Sequence, residues 1–538
     1  MRLQLIYAAS NTQFVGEEYL GISRIYAYLL MQGHDCDLVK LLFDADKQVQ
    51  FDKIDLSCDL YGIAIYNDSA RFTFELVEYI RRLNQHAIIF LGSQFASASY
   101  ELIFRDCPQT DFIVLGHGEK TIDEVMQKME NISDIRPFLD AHPHIVTQRS
   151  LRGKTPSYLS ITELCLPSRK ILKQERILYA GLITKHGCAG RCSFCSVNEK
   201  PSYRAPESIL SEIVAVYQET GIQCFNFVDS SFPDFGSVGK ANLKKFCSLA
   251  IRCPVKFSFR CYIRADSFHN EEEDRKLLLL MKEAGFYNIF IGIESANAAD
   301  LALYNKRASV QDNNTAVRLL KQMGIHPRMG FIMLNPYSTE QSLSDNYEFL
   351  LTVESAELGH YISCLDIYYN SEIYHKLVSD GLLREDYSYI DNQAAYHLTD
   401  KKILPVFQFI RRKFWPSEIF STASQYENFM YTLAYLLPIL GDKLNNYVQL
   451  KKETDRRLFM LHKNYFKIIY KDHDLEKAER LYDEYVSQVI PLHNACAQYT
   501  NGLLRHYIVY QLKNKEPGHY DALQAVLKES GAESEQIV

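Results

Sequence analysis

Short apolar runs alternate with amphipathic stretches along the first 130 residues, and this rhythm sets the expected architecture. Strands are predicted at 3–9, 37–42, 60–66, 87–91 and 112–115. Between them, residues 17–32, 70–84, 97–105 and 121–129 carry apolar positions at helical spacing. Such alternation gives a parallel sheet covered on both faces, with ligands bound beyond the carboxyl ends of its strands. Residues 1–150 are therefore read as one α/β domain.

From about residue 165 the rhythm resumes at longer spacing. Strands are expected at 177–184, 225–229, 256–263, 288–294, 328–334 and 363–368, with helices at 206–219, 243–252, 273–284, 313–323 and 338–353. Six strand–helix units predict a partial (β/α)6 TIM-like barrel over 165–385, with function at the carboxyl face of its strands. Beyond 386, FWPSEIF, YENFMYTLAYLLPIL and LEKAERLYDEYVSQVI keep helical spacing. Residues 386–538 are expected to form an all-helical domain that closes over the barrel mouth and selects the substrate.

Composition narrows the class. Among 538 residues, 47% are hydrophobic and 23% charged, which is ordinary for soluble globular protein. A net charge of −7 argues against a nucleic-acid binder. MRLQLIYAAS lacks a signal peptide's apolar core, and no uninterrupted apolar run reaches the roughly 18 residues of a membrane span. Thirteen cysteines without a secretory signal suit a reducing cytoplasm.

The chemistry concentrates in ITKHGCAGRCSFCSV. Cys188, Cys192 and Cys195 form a C-x-x-x-C-x-x-C run in a loop beyond a strand's carboxyl end. Three such thiolates can hold three irons of a [4Fe–4S] cluster, leaving the fourth open to a substrate or cofactor. The alternative is zinc, which usually takes four ligands in two paired groups, and the chain contains no C-x-x-C beyond Cys192–Cys195. Cys247, Cys253 and Cys261 span a helix, a turn and a strand, and are read as core residues.

The triplet, with Phe194 before its last cysteine, resembles the radical S-adenosylmethionine (radical SAM) superfamily. Tyr203-Arg204, PESILSEI, FNFVDSSF, RCYIRAD and AGFYNIFIGIES resemble that family's successive units. The resemblance implies SAM contacts at Phe194, Asp229, Arg264, Glu294 and Ser295. A carboxylate suits ribose hydroxyls, and an arginine suits the methionine carboxylate. Asp229 has the alternative of capping the following helix, and Asn335-Pro336 departs from the family's Gly-x-Pro.

The first domain, with its flavodoxin/Rossmann-like sheet, resembles the cobalamin-binding domain that precedes one radical SAM class. SNTQ at 10–13, YNDSA at 66–70, LGSQFAS at 91–97 and LGHGEKT at 115–121 lie beyond the strand ends. The resemblance implies cobalamin contacts at Asn67, Ser69, Gly92, Gln94, Ser97, Gly116, Gly118 and Glu119. Ser93 and His117 depart from the family's signatures, and its Asp-x-His-x-x-Gly motif is absent. The alternative is a scaffold without cofactor.

Together these resemblances imply an enzyme with a [4Fe–4S] cluster, SAM and cobalamin. Its substrate would be a small molecule and its reductant flavodoxin or another one-electron donor. In this class the commonest reaction is methylation of an unactivated carbon. A non-methylating cyclisation or rearrangement, and a non-catalytic iron–sulfur sensor or scaffold, are the alternatives. The catalytic groups beyond the cofactors are not readable.

Overall fold

The computed structural model describes residues 1–10, 18–43, 51–174, 178–197, 199–234, 236–269, 272–391 and 394–513. Part of the 10–13 segment, residues 11–13, and the strand start at 177 lie outside the described residues. The first sheet contains β1 (Arg2–Ser10), β2 (Asp35–Phe43), β3 (Leu60–Ala64), β4 (Ile88–Gly92), β5 (Phe112–Val114) and β6 (Ile145–Val146). Its order is β2-β1-β3-β4-β5-β6, parallel throughout except for the antiparallel edge strand β6. Every residue of β3 is buried, as a central strand packed on both faces requires. The order turns back between β1 and β3, which places the switch point beside the β3 loop.

The second sheet takes β7 (Tyr179–Leu182). A small antiparallel ladder, β8 (Lys185–His186) with β9 (Ser202–Tyr203), follows and brackets the cysteine loop. The second sheet then adds β10 (Cys224–Phe227), β11 (Ser258–Arg264), β12 (Phe286–Glu294) and β13 (His326–Phe331). Its order is β13-β12-β11-β10-β7, all parallel. Five of the six predicted strands are formed. The sixth, 363–368, is extended but holds to the sheet only by a parallel bridge between Leu334 and Cys364. Leu365 (2% exposed) and Ile367 (0%) still alternate into the core as a strand would.

The helices start where their sequences say. Ser309 and Thr339 each close a capping box, and Gly221 ends its helix in the left-handed region at φ 76°. The C-terminal helices are where expectation and structure part. Helix Glu418–Leu440 does not cover the barrel mouth; it plugs the opposite end. Tyr431 accepts from Asn288 Nδ2, Tyr435 stacks on Tyr179 at 5.7 Å, and His326 lies 6.1 Å from Tyr431. Those partners stand at the amino ends of β12, β7 and β13. Its stretch 430–436 is buried on every side because it fills this hole, where an amphipathic lid would show one apolar face. No helix of the described residues is long and apolar enough to cross a membrane.

Candidate functional site

The cysteine loop leaves the end of β7 and closes on itself, with Cys188 N donating to the Glu199 carbonyl at 3.1 Å. Cys188, Cys192 and Cys195 are free thiols. Gly190 N donates to Cys188 Sγ at 3.3 Å, and Val197 N to Cys195 Sγ at 3.5 Å. Burial pushes the Cys192 thiol up, while Lys306 and Arg264 pull it the other way. Burial also raises Cys195, and Cys192 and Cys188 lie close enough for their charges to act on it. Three convergent thiols, two backbone donors and two neighbouring cations suit an anionic cluster held by three thiolates. The loop is pinned from below: Ser193 N donates to the Tyr304 carbonyl at 3.0 Å, Ser193 Oγ to Leu303 at 2.8 Å, and Phe194 meets Tyr304 edge-on at 5.5 Å.

Glu294 ends β12 with φ 64°, a left-handed conformation that a side-chain-bearing residue adopts at a cost of about 1–2 kcal/mol. The β12–β13 register slips between Gly292 and Glu294, and such bulges re-aim a side chain. The carboxylate turns over Gly292, where a Cβ would sit 2.7 Å from Glu294 Oε1, and Lys306 Nζ pairs with it at 3.1 Å. Arg264 ends β11. Its Nε and Nη2 donate to Asp266 at 2.9 and 3.0 Å, and its Nη1 crowds Gly190, leaving no room there for a Cβ. Arg264 and Glu294 therefore reach the cysteine loop from adjacent strand ends.

Asp229 and Ser295 take different parts from those expected. Asp229, 4% exposed, accepts from Thr184 N at 2.9 Å and Lys185 N at 3.1 Å, and also from Thr184 Oγ1. Burial raises its carboxyl to about 6 against these donors. It ties β10 to the root of the cysteine loop, and the next helix is capped at Gly236 instead. Ser295 is fully buried. Its Oγ lies 2.9 Å from both Asp300 Oδ2 and Asn346 Oδ1 and accepts from Asn297 N at 3.0 Å, so its single O–H proton is engaged within the fold.

The first domain's loops divide similarly. A Cβ at Gly92 would meet only Val114 Cβ, at an ordinary 4.0 Å, and Gln94 is exposed beside it. Ser97 Oγ donates to the Ser93 carbonyl at 2.8 Å, and Ser69 Oγ accepts from Tyr66 N at 3.1 Å, so both hydroxyls shape their own turns. Asn67 Nδ2 donates to Tyr389 O at 2.9 Å, across the seam with the segment that follows the barrel. Gly116 has φ 77°, and a Cβ there would meet Ser157 O at 2.2 Å; it approaches protein backbone. Gly118 faces Ile25, and Glu119 pairs with Arg24 at 3.1 Å, both almost wholly buried. Gly116, Gly118 and Glu119 thus serve the packing of the domain. Gly92 and Gln94 remain as an open platform.

Comparison with known proteins matches both parts of the chain. The profile of the radical SAM superfamily matches residues 182–350, and that of the B12 binding domain matches residues 17–126. The chain belongs to the radical SAM enzymes that carry an N-terminal B12-binding domain. It is 23% identical over 305 residues to an uncharacterised methyltransferase of Pyrococcus horikoshii, covering 54% of this chain and 63% of the relative. It is 24% identical over 320 residues to an anaerobic magnesium-protoporphyrin IX monomethyl ester cyclase of Synechocystis, covering 57% and 62%. These matches span about three-fifths of each relative's length. The fold is similar to that of the cobalamin-dependent S-adenosylmethionine radical enzyme OxsB with aqua-cobalamin and S-adenosylmethionine bound. There the TM-score is 0.68 at 18% identity, covering 98% of this chain and 83% of OxsB.

In this radical SAM protein the two domains meet beside the cysteine loop. His117, from the B12-binding domain's last parallel strand loop, lies 5.2 Å ring to ring from His186, two residues before Cys188. With Glu199 they bring three potential metal-ligating atoms within 4.8 Å of one another. A metal ion does not suit them: His117 Nδ1 accepts from Leu159 N at 2.9 Å, so a neutral His117 carries its proton on Nε2. The trio is a polar joint between the domains.

Sequence reasoning missed Lys306 and the Asp300–Asn335–Asn346 network behind Ser295. None belongs to a short motif. Lys306 becomes meaningful only once Glu294 is seen beside it.

Proposed function

We propose that this chain is a cobalamin-dependent radical SAM enzyme that methylates an unactivated carbon of a small molecule. One observation carries the reading: the thiol loop and the B12-binding domain's strand-end loops meet across a joint of 5.2 Å between His117 and His186. Cofactors held by the two domains would therefore face one space. When bound, the cluster, SAM and cobalamin supply one-electron cleavage of SAM and a methyl group for transfer.

The chain's own residues do the rest. Cys188, Cys192 and Cys195 would hold three irons, with Gly190 and Val197 N–H groups fixing two of the sulfurs. Arg264 and Lys306 place positive charge beside the thiolates. The Glu294 carboxylate, held over Gly292 by Lys306, suits the hydroxyl and ammonium groups of SAM. Gly92 and Gln94 are the residues of the first domain's loops that would hold cobalamin. Asp229 and Ser193 anchor the thiol loop from its two ends.

The test is anaerobic reconstitution with iron and cobalamin, followed by incubation with SAM and a reductant. Methylation predicts about one cobalamin per chain, and S-adenosylhomocysteine formed alongside 5′-deoxyadenosine. The cyclase relative favours a second reading, a non-methylating rearrangement, which predicts 5′-deoxyadenosine without S-adenosylhomocysteine. A chain that takes up no cobalamin contradicts both.

A further inference from the structure

A cavity of about 170 Å³ lies at the amino end of the barrel, opposite the cysteine loop. It is set between the start of β13, the turn before helix Leu358–Ile362 and the plugging helix Glu418–Leu440. A cavity of roughly 150 Å³ can hold benzene, so this one has room for a small ligand. His326, Glu357, Glu427 and Tyr431 line it, with Met329 and Met430 as apolar walls. The reading above uses none of them.

The charges around this cavity do not balance. Lys451 pairs with Asp455, which also accepts from Tyr426 at 2.7 Å, and Lys321 donates to the Val353 carbonyl. Glu354 is exposed to solvent. That leaves two carboxylates. Glu357 has the Nε2 proton of His360 at 3.3 Å, shared with the Met329 carbonyl at 3.0 Å. Glu427 forms no ion pair among the described residues and lies against Gly359, 3.7 Å from where a Cβ would stand. Arg328, 4.1 Å from the centre of the Tyr431 ring, acts on Glu427 but pairs with neither carboxylate. Tyr431 is 4% exposed, and its hydroxyl lies near both carboxylates yet meets hydrogen-bond geometry with neither. The His326 ring has no hydrogen bond among the described residues, and burial lowers it to about 4, which keeps it neutral. Two like charges and an orphaned hydroxyl are unfavourable unless a ligand supplies donors between them. A metal ion does not fit, because no three His, Cys or carboxylate ligand atoms here lie within 4.8 Å of one another. The spread suits a larger cation with several N–H donors.

Beyond the proposed function, we propose that this cavity is a second ligand site, which takes a small organic cation, a guanidinium or alkylammonium, between Glu357 and Glu427. Its N–H groups would donate to both carboxylates and to the Tyr431 oxygen, while the methionines cover its apolar part. Burial and Glu357 hold the Glu427 carboxyl up at about 8, so near neutral pH it keeps a proton that the arriving cation displaces. The contacts come from the barrel, the turn and the plugging helix together. A bound cation therefore clamps that helix to the barrel and stabilises the native state.

Methylguanidinium and its neutral isostere N-methylurea test this, titrated by calorimetry into the anaerobically reconstituted full chain near neutral pH. Methylguanidinium is expected to bind, and N-methylurea roughly tenfold more weakly or worse, the value of a charge-assisted hydrogen bond. Binding of the cation should also release a proton, read as a heat that differs between buffers of unequal ionisation enthalpy. Glu427→Gln copies the shape of the protonated carboxyl and should abolish that release. Glu357→Gln should weaken methylguanidinium by roughly tenfold, and both variants should keep their iron. The proposal is overturned if methylguanidinium does not bind, if N-methylurea binds as tightly, or if either variant behaves as the wild type. Neither SAM nor reductant is present, so the outcome is independent of the proposed chemistry.

Discussion

Single residues show how backbone strain and close approach are distributed between function and packing. Glu294 holds a left-handed conformation at a bulge, and its carboxylate occupies the space that Gly292 leaves vacant. Gly116 is also left-handed, but the atoms it makes room for belong to Ser157. Both lie in stretches that look like family signatures, and only their surroundings tell them apart. Gly116→Ala should therefore destabilise the first domain by at least about 1–2 kcal/mol, from the left-handed penalty alone. Urea unfolding would show it as a lower midpoint, with iron binding by the folded protein retained. A loss of cobalamin binding without loss of stability would instead assign Gly116 to the ligand.

At the scale of elements, the helix Glu418–Leu440 is the instructive case. Its apolar spacing announces a helix, but a pattern of this kind does not say which end of a barrel the helix fills. Only the long-range partners Tyr179, Asn288 and His326 decide that. The first sheet was legible because each strand is a short apolar run closed by a polar loop. The cysteine triplet was legible because its geometry is local. Segment 363–368 kept its strand alternation but not its ladder, since it pairs with the sheet at one bridge only. The contacts of Ser295 and Glu119 were not legible for one reason: their partners, Asp300, Asn346 and Arg24, are fixed by folding and not by spacing.

The plug helix also carries a titration. Burial, then the neighbouring Glu357, raises the Glu427 carboxyl to about 8, with Arg328 opposing. The folded chain keeps a proton there that the unfolded chain has released above its ordinary value of 4.5. Stability should fall as pH rises from about 4.5 to about 8 and level off beyond it. Glu427→Gln should flatten that decline in melting temperature. An unchanged slope would remove Glu427 as its source.

Across the whole molecule, one buried cation joins the parts. Arg169 bonds Glu18 of the first domain, the Gly181 carbonyl at 2.9 Å and Glu212 Oε1 at 2.6 Å, all nearly inaccessible to water. Arg169→Met strands two carboxylates and should cost about 3–5 kcal/mol by denaturant unfolding. Arg169→Lys should recover little, because one ammonium cannot reproduce the forked geometry. A loss below about 1 kcal/mol would mean that the domains are held mainly elsewhere. The joint at His117 and His186 and the seam at Asn67 and Tyr389 then orient the first domain's loops toward the thiols.

That arrangement has meaning only if the three thiols do redox work on SAM. Anaerobically reconstituted protein, given SAM and dithionite, should release 5′-deoxyadenosine, and Cys192→Ala should lose both its iron and that product. Wild-type protein that binds iron yet releases no 5′-deoxyadenosine, or a Cys192→Ala variant that still releases it, would contradict the account.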